Sequence, residues 1–413
     1  MDRYFHLLPS LGYVLVVLAA ATVPPLLVAA SAGEWYQFLL LGALGLGAAL
    51  VGGLASRLPP RRPLAPSDAL ALTALSYLLF SLLGAIPFLG VGTFLDGLFE
   101  AASGITTTGL SVFSPQALPR SLLLFRSLYQ WIGGAGIVVI SLALLLPPGR
   151  TALALYAAEA GVGNLAGNVR LTARRVATVY LALTGSGFLL YWAFGMSPFQ
   201  AGVHILSTVS TGGFSTHPAS IGGFRSPALE GVVAVFMLAG ATSFPLFWLL
   251  RPGKWRAFFR EPQLGMLVGL SLAGGALLGV AAGSLGGGMF QGISAFTTTG
   301  FSTLEPARLP DPARGLLLLG MLIGGCGGST AGGIKLFRLL GLLALVRWLY
   351  TRLRVPREAE VPLKVLGMSF SQTEALRLSA YVVLYLGILA AAALALAGWG
   401  YPLADALFEA ASA

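Results

Sequence analysis

The sequence predicts an all-α polytopic membrane protein built from repeated span–half-helix–span units behind two extra N-terminal helices. Three observations carry this expectation. The 413 residues are 56% hydrophobic and only 10% charged, whereas a soluble protein carries about a quarter charged residues. Several apolar runs exceed the roughly 20 residues that a membrane-crossing helix needs. One phrase also recurs. Ser103-Gly-Ile-Thr-Thr-Thr-Gly-Leu-Ser111 returns as Ser207-Thr-Val-Ser-Thr-Gly-Gly-Phe-Ser215 and as Ser294-Ala-Phe-Thr-Thr-Thr-Gly-Phe-Ser302. A fourth copy begins at Leu407-Phe-Glu-Ala-Ala-Ser412, matching Leu98-Phe-Glu-Ala-Ala-Ser103. Four copies of one unit can surround an axis.

The N-terminal region, 1–65, holds two helices, from about Tyr4 to Ala30 and from Trp35 to Ala55. The first is longer than a typical signal peptide and contains Pro24-Pro25, so it is expected to be retained. Trp35 and Tyr36 suit one membrane interface, and Arg57, Arg61 and Arg62 the opposite one. Repeat one, 66–150, has a span Asp68–Leu89, a half-helix Phe94–Ser103 too short to cross, its turn, and a span Ser121–Leu146. Repeat two, 170–255, has a span Val176–Phe194, a half-helix Pro198–Ser207, its turn and a span Pro227–Leu250. Repeat three, 261–355, has a span Leu264–Ala282, a half-helix Gly287–Ala295, its turn and a long segment from Pro312 to Tyr350. Repeat four, 370–413, has a span Glu374–Ala397 and a half-helix Pro402–Ser412. This makes nine full spans and four re-entrant half-helices. The spacing of the turns suits such a unit and not a short solenoid repeat.

The net charge of +10 reflects topology, and a nucleic-acid partner is not expected. Arg150, Arg170, Arg174 and Arg175 follow repeat one, and Arg251, Lys254, Arg256 and Arg260 follow repeat two. Arg347, Arg352, Arg354, Arg357 and Lys364 follow repeat three, while the turn side carries only Arg120, Arg225, Arg308 and Arg314. The basic loops therefore belong in the cytoplasm and the turns outside. A single cysteine, Cys326, excludes an internal disulfide or a cysteine metal cluster. Three histidines, His6, His204 and His217, offer no catalytic or metal-binding motif, so an enzyme is not expected.

The turns carry the chemistry. A cation shedding its water needs several fixed oxygens, and backbone carbonyls supply them without a buried full charge. Glycine admits the positive φ that turns successive carbonyls to one side, and Thr hydroxyls can secure the turn behind them. A half-helix whose C-terminus points at the ion adds about half a negative elementary charge. The candidate filter is Thr107, Thr108 and Gly109; Thr211, Gly212 and Gly213; and Thr298, Thr299 and Gly300.

A second stretch, 324–335, reads Gly-Gly-Cys-Gly-Gly-Ser-Thr-Ala-Gly-Gly-Ile-Lys. Gly324, Gly325, Gly327, Gly328, Gly332 and Gly333 disfavour a continuous helix, at about 1 kcal/mol each relative to Ala. Irregular backbone at membrane depth should line a cavity. Lys335 and Arg338 then face either a gated path or the interface, to which long cations snorkel.

The three turns, the run Ser207 to His217 and the stretch Gly324 to Lys335 resemble those of the Trk/Ktr/HKT superfamily of potassium-translocating subunits. The helix pair before the first repeat resembles the TrkH branch in particular. The similarity implies a fourfold pseudosymmetric pore for potassium uptake across the cytoplasmic (inner) membrane, with one filter glycine per repeat at Gly109, Gly213 and Gly300. It implies an intramembrane gating loop at 324–335, homodimers, and a cytosolic ring of nucleotide-binding regulatory subunits. The transported ion would be K+, with no covalent cofactor and a nucleotide only on the partner. The fourth turn and last span are missing, and the chain is expected to be a partial one.

Other groups have blander readings. Asp96 and Glu100, with Asp405 and Glu409 at the same places in repeat four, either bond filter amides or set local negative potential, or are solvated or turn-bonded carboxylates near the outer mouth. His204 stands where repeat one has Glu100 and is expected only to pack or bond locally, while His217 follows the second turn and could shape the outer mouth. Cys326 is a small residue in a packed break. The rival functions are a secondary transporter with broken helices, which would carry inverted repeats and midplane ionisable groups, and a sodium-permeable member of the same superfamily.

Overall fold

A computed structural model describes residues 5–59, 66–145, 169–356, 361–366 and 368–413. Arg61, Arg62, Arg150 and Arg357, counted above for topology, lie outside them. Among the described residues, six helices are long and apolar enough to cross a membrane, against nine expected spans. They are Leu8–Ala32, Trp35–Ser56, Leu70–Gly90, Arg174–Ala193, Pro262–Ala282 and Gln372–Gly398. Arg120–Leu145 forms a further long helix, while the remaining two expected spans are interrupted. The chain falls into two compact units, residues 1–144 with 184–229, and residues 145–183 with 230–413.

In the first unit, α1 (Leu8–Ala32) and α2 (Trp35–Ser56) form a hairpin closed at Gly33, whose φ of 71° suits a helix C-cap. They pack backbone to backbone. A Cβ on Gly52 would stand 2.7 Å from the Leu15 Cβ, and such close approach is what small residues contribute between membrane helices. Next, α3 (Pro66–Gly84) passes into a 3-10 turn, Ile86–Gly90, where Pro87 cannot continue an α-helix. Short α4 (Phe94–Ile105) starts at a capping box in which Thr93 and Asp96 bond each other's backbone amides. The Thr93 hydroxyl, and after it the Thr93 amide, donate to the exposed Asp96 carboxylate and hold it below its ordinary range. After α5 (Arg120–Leu145) and α6 (Val169–Ala193), of which only the part from Thr184 belongs to this unit, α7 (Pro198–Val209) starts at the same device, built from Ser197 and Gln200. The core joins α1 to α5 through Leu18, Leu41, Phe80, Phe88, Phe125 and Tyr129.

In the second unit, α10 (Pro262–Ala282) and α11 (Leu285–Phe296) cross on glycines, a Cβ on Gly275 falling 2.8 Å from the Met289 Cα. The predicted span Pro227–Leu250 is not continuous. It stops as α8 (Pro227–Gly240), bends through Ala241–Ser243, and resumes as a 3-10 helix, Phe244–Leu249. Pro245 has no amide hydrogen to extend the α-helix and leaves the Ala241 carbonyl free for the Cys326 amide. Short α9 spans Trp255–Phe259. The long segment of repeat three divides into α12 (Asp311–Ile323) and α13 (Leu336–Arg352), separated by the glycine-rich stretch.

The all-α expectation needs one correction. Leu363–Val365 (β1) and Met368–Phe370 (β2) pair antiparallel, Lys364 opposite Ser369. Alternation over so short a run, in a loop read only for its charge, gave no sign of it. The described chain closes with α14 (Gln372–Gly398) and α15 (Leu403–Ser412).

Candidate functional site

Each short helix α4, α7 and α11 ends in the same backbone motif. The amides of Thr108, Gly212 and Thr299 donate to the carbonyls of Ser103, Ser207 and Ser294 at 2.8–3.0 Å. The amides of Thr107, Thr211 and Thr298 donate to Gly104, Thr208 and Ala295 at 3.0 Å. This is a Schellman ending, with one anomaly. Its left-handed position usually takes glycine, yet Thr107, Thr211 and Thr298 sit there at φ of 59°, 52° and 53°. A β-branched residue in that region costs of order 1–3 kcal/mol, and it occurs three times. Two residues on, Gly109, Gly213 and Gly300 have φ of 82°, 77° and 84°. Left-handed residues thus alternate with ordinary ones along each turn.

Side chains secure the motif. The Thr106 and Thr108 hydroxyls share a hydrogen bond of 2.8 Å, as do those of Thr297 and Thr299. One polar residue per short helix also ties down the strand leaving the turn. The Ser111 hydroxyl donates to both Glu100 oxygens at 2.9 Å. His204 Nε2 meets Ser215 Oγ at 3.0 Å while its Nδ1 faces the Gln200 carbonyl. The Gln291 carboxamide oxygen accepts the Thr303 amide at 3.1 Å. These three residues stand at equivalent places, three before Ser103, Ser207 and Ser294.

Glu100 is the turn-bonded carboxylate of the alternatives, held by Ser111, and neither solvated nor bonded to a filter amide: it is 0% exposed and also paired with Arg126 at 2.8 Å. The Arg126 guanidinium also donates to the Ser215 carbonyl at 2.6 Å and lies 4.6 Å from the Phe214 ring centroid. One cation thereby ties the first turn to the second. Four residues along α5, and so on the same face, Gln130 donates to the Gly212 carbonyl at 2.6 Å. Both residues escaped the sequence reading. The signal was available, since an Arg and a Gln four apart interrupt an otherwise apolar span. Asp405 pairs with Arg314 instead of a filter amide, and His217 packs against Phe224 at 5.2 Å between ring centroids.

In the second unit the glycine-rich stretch is a loop pinched at its neck. A Cβ on Gly324 would stand 3.0 Å from the Gly333 Cα, and both glycines have positive φ, 71° and 73°. The loop returns to the end of α12, Ile334 and Lys335 amides donating to Leu322 and Ile323 at 2.9 and 3.0 Å. It also meets the break after α8. Cys326 donates its amide to Ala241 at 2.9 Å, the Thr330 hydroxyl donates to Gly240 at 2.9 Å, and the Phe244 amide donates to Gly328 at 3.1 Å. Two interrupted helices thus satisfy one another's stranded backbone groups. The Gln263 carboxamide accepts the Gly327 amide at 3.0 Å, and the Gly332 amide donates to Thr298 Oγ1 of the third turn at 2.6 Å.

Lys335 does not snorkel. It is 7% exposed, and its ammonium donates to the loop's own carbonyls at Ser329, at 3.1 Å, and at Ala331. Arg338 likewise stays buried, 3.7 Å above the Tyr381 ring centroid. Cys326 is fully buried in the packed break. Among the described residues no cluster of His, Cys, Asp or Glu could hold a metal ion.

This arrangement has known relatives. The TrkH family, described as cation transport protein, matches residues 56–251 and 279–413. The Trk system potassium uptake protein TrkH of Halomonas elongata is 33% identical over 359 residues, covering 82% of this chain and 74% of that protein. Its namesake from Salmonella typhimurium is 32% identical, covering 80% and 72%. The crystal structure of the potassium transporter TrkH from Vibrio parahaemolyticus aligns with a TM-score of 0.86 at 26% identity, covering 98% of this chain and 88% of that one. Repeated Thr-x-Gly turns, a multi-pass helical fold and these matches agree, and the chain belongs to the TrkH family of cation transport proteins.

Proposed function

We propose that this protein takes up potassium through a pore, each Thr-x-Gly turn serving as one filter strand and the loop 324–335 as a gate. The observation that carries the reading is the threefold recurrence of a strained threonine followed two residues later by a left-handed glycine. Strain repeated at equivalent places points to function, because folding alone would relieve it with glycine. In this reading Thr107, Thr108, Gly109, Thr211, Gly212, Gly213, Thr298, Thr299 and Gly300 present carbonyls to K+. Gly324, Gly325, Gly327, Gly328, Gly332, Gly333 and Lys335 form the barrier it must pass. The relatives' potassium uptake role supports the choice of ion.

The same reading places the turns outward in a cytoplasmic membrane and the basic loops on the cytoplasmic side. A second copy forms a homodimer with it, seated on a cytosolic nucleotide-binding regulatory ring.

The test is flux. Expressed in cells lacking potassium uptake, the protein should restore growth at low potassium and carry rubidium as a tracer. Gly109→Ser should lower the potassium-to-sodium ratio, since a side chain at φ 82° is strained and its Cβ would run into the Gly212 carbonyl. An unchanged ratio would remove Gly109 from the filter.

A further inference from the structure

The second turn departs from the other two at one position. Thr108 and Thr299 occupy it in the first and third turns, and each hydroxyl bonds a neighbouring threonine. The second turn has Gly212 instead. Its backbone does not require glycine, for Gly212 is absent from the residues with positive φ, whereas its neighbours Thr211 and Gly213 have it. Space requires it. A Cβ at Gly212 would stand 2.6 Å from both the nitrogen and the oxygen of the Gln130 carboxamide. That carboxamide, fully buried on α5, lies flat along the turn. Its nitrogen donates to the Gly212 carbonyl at 2.6 Å, and its oxygen accepts the Phe214 amide at 3.4 Å. The same carbonyl oxygen is the atom against which a Cβ on Gly109 of the first turn would collide.

We propose that Gln130 is a positioning residue that fixes the direction of the Gly212 carbonyl and so sets the ion preference of the second strand. The proposal rests on the turns being filter strands. A carbonyl held by a buried donor offers less of its negative potential to a passing cation. Weaker ligand fields favour the larger and more easily dehydrated ion, because sodium needs strong ligands to replace its tightly held water. Gln130 thus biases the strand towards potassium, and Gly212 is the space it needs.

The experiment uses the full chain in liposomes, with potassium and sodium flux measured for the parent, Gly109→Ser, Gln130→Met, Gly212→Thr, and Gly212→Thr combined with Gln130→Ala. Gln130→Met keeps the length and loses the donor. Its potassium-to-sodium ratio should fall on the order of tenfold, the worth of one buried hydrogen bond. Gly212→Thr alone should lose assembly or flux. The double variant should regain both, with the lowered ratio, and this rescue holds even where Gln130→Met folds poorly. A Gln130→Met ratio within twofold of the parent, alongside a changed ratio in Gly109→Ser, would leave the filter reading standing and overturn the role of Gln130. Gly212→Thr tolerated beside an intact Gln130 would also overturn it. If Gly109→Ser and Gln130→Met both leave the ratio unchanged, the filter reading falls and the proposal with it.

Discussion

The ion pair behind the first two turns makes a quantitative prediction. Glu100 and Arg126 are 0% and 2% exposed and 2.8 Å apart. Replacing one partner of such a pair leaves the other charged, buried and alone, which costs about 3–5 kcal/mol. Arg126→Leu and Glu100→Leu should each destabilise by that amount. The double variant keeps no buried charge. Its remaining losses are the charged hydrogen bond to the Ser215 carbonyl, about 1.5–3 kcal/mol, the stacking on Phe214, about 0.5–2 kcal/mol, and the Ser111 bonds to Glu100, whose hydroxyl keeps the Phe113 carbonyl as an acceptor. It should therefore match or exceed the stability of either single variant. The singles and double form a cycle whose coupling energy should reach about 3 kcal/mol or more. Reversible unfolding in mixed detergent micelles measures the four stabilities. Losses that simply add in the double variant would show that the two side chains do not act as a pair, and the tether between the turns would then rest on Gln130 and on the Arg126 bond to Ser215.

Three other variants separate the gate from the surface. Lys335→Ala removes the donor to the Ser329 and Ala331 carbonyls, and Thr330→Val removes the hydroxyl bond to Gly240. Each should loosen the loop and raise basal rubidium flux about tenfold, the effect of about 1.4 kcal/mol, with the potassium-to-sodium ratio unchanged. Flux equal to the parent in both variants would place the barrier elsewhere. Arg314→Ala breaks a part-exposed ion pair with Asp405, and screening by solvent should leave stability close to that of the parent. A larger loss of stability in the same unfolding measurement would mean that α12 and α15 depend on this contact more than its exposure allows.

Features that depend on near neighbours were legible in the sequence. The short helix α4 covers the predicted half-helix, Phe94–Ile105 against Phe94–Ser103, because apolar run, capping residue and Thr-Gly stop all lie within a few residues of one another. The interruption between α12 and α13 falls on the glycines that foretold it. By contrast, the break after α8 rests on one proline and on partners far along the chain. Gly240 is capped by Thr330, 90 residues away, and without that partner the run 227–250 reads as one apolar helix.

The site shows the same division. Composition and repetition determined that the chain lives in a membrane and where its turns lie, since both depend on residue type and local order. What secures those turns was decided by tertiary structure. Arg126 and Glu100 are 26 residues apart, Gln130 and Gly212 are 82 apart, and each pair meets only after α5 packs beside the turns. Lys335 reads alone as a charge awaiting a path or an interface, yet the folded loop turns its own carbonyls onto the ammonium. A buried polar group must find a partner, and which partner it finds depends on how the backbone folds around it.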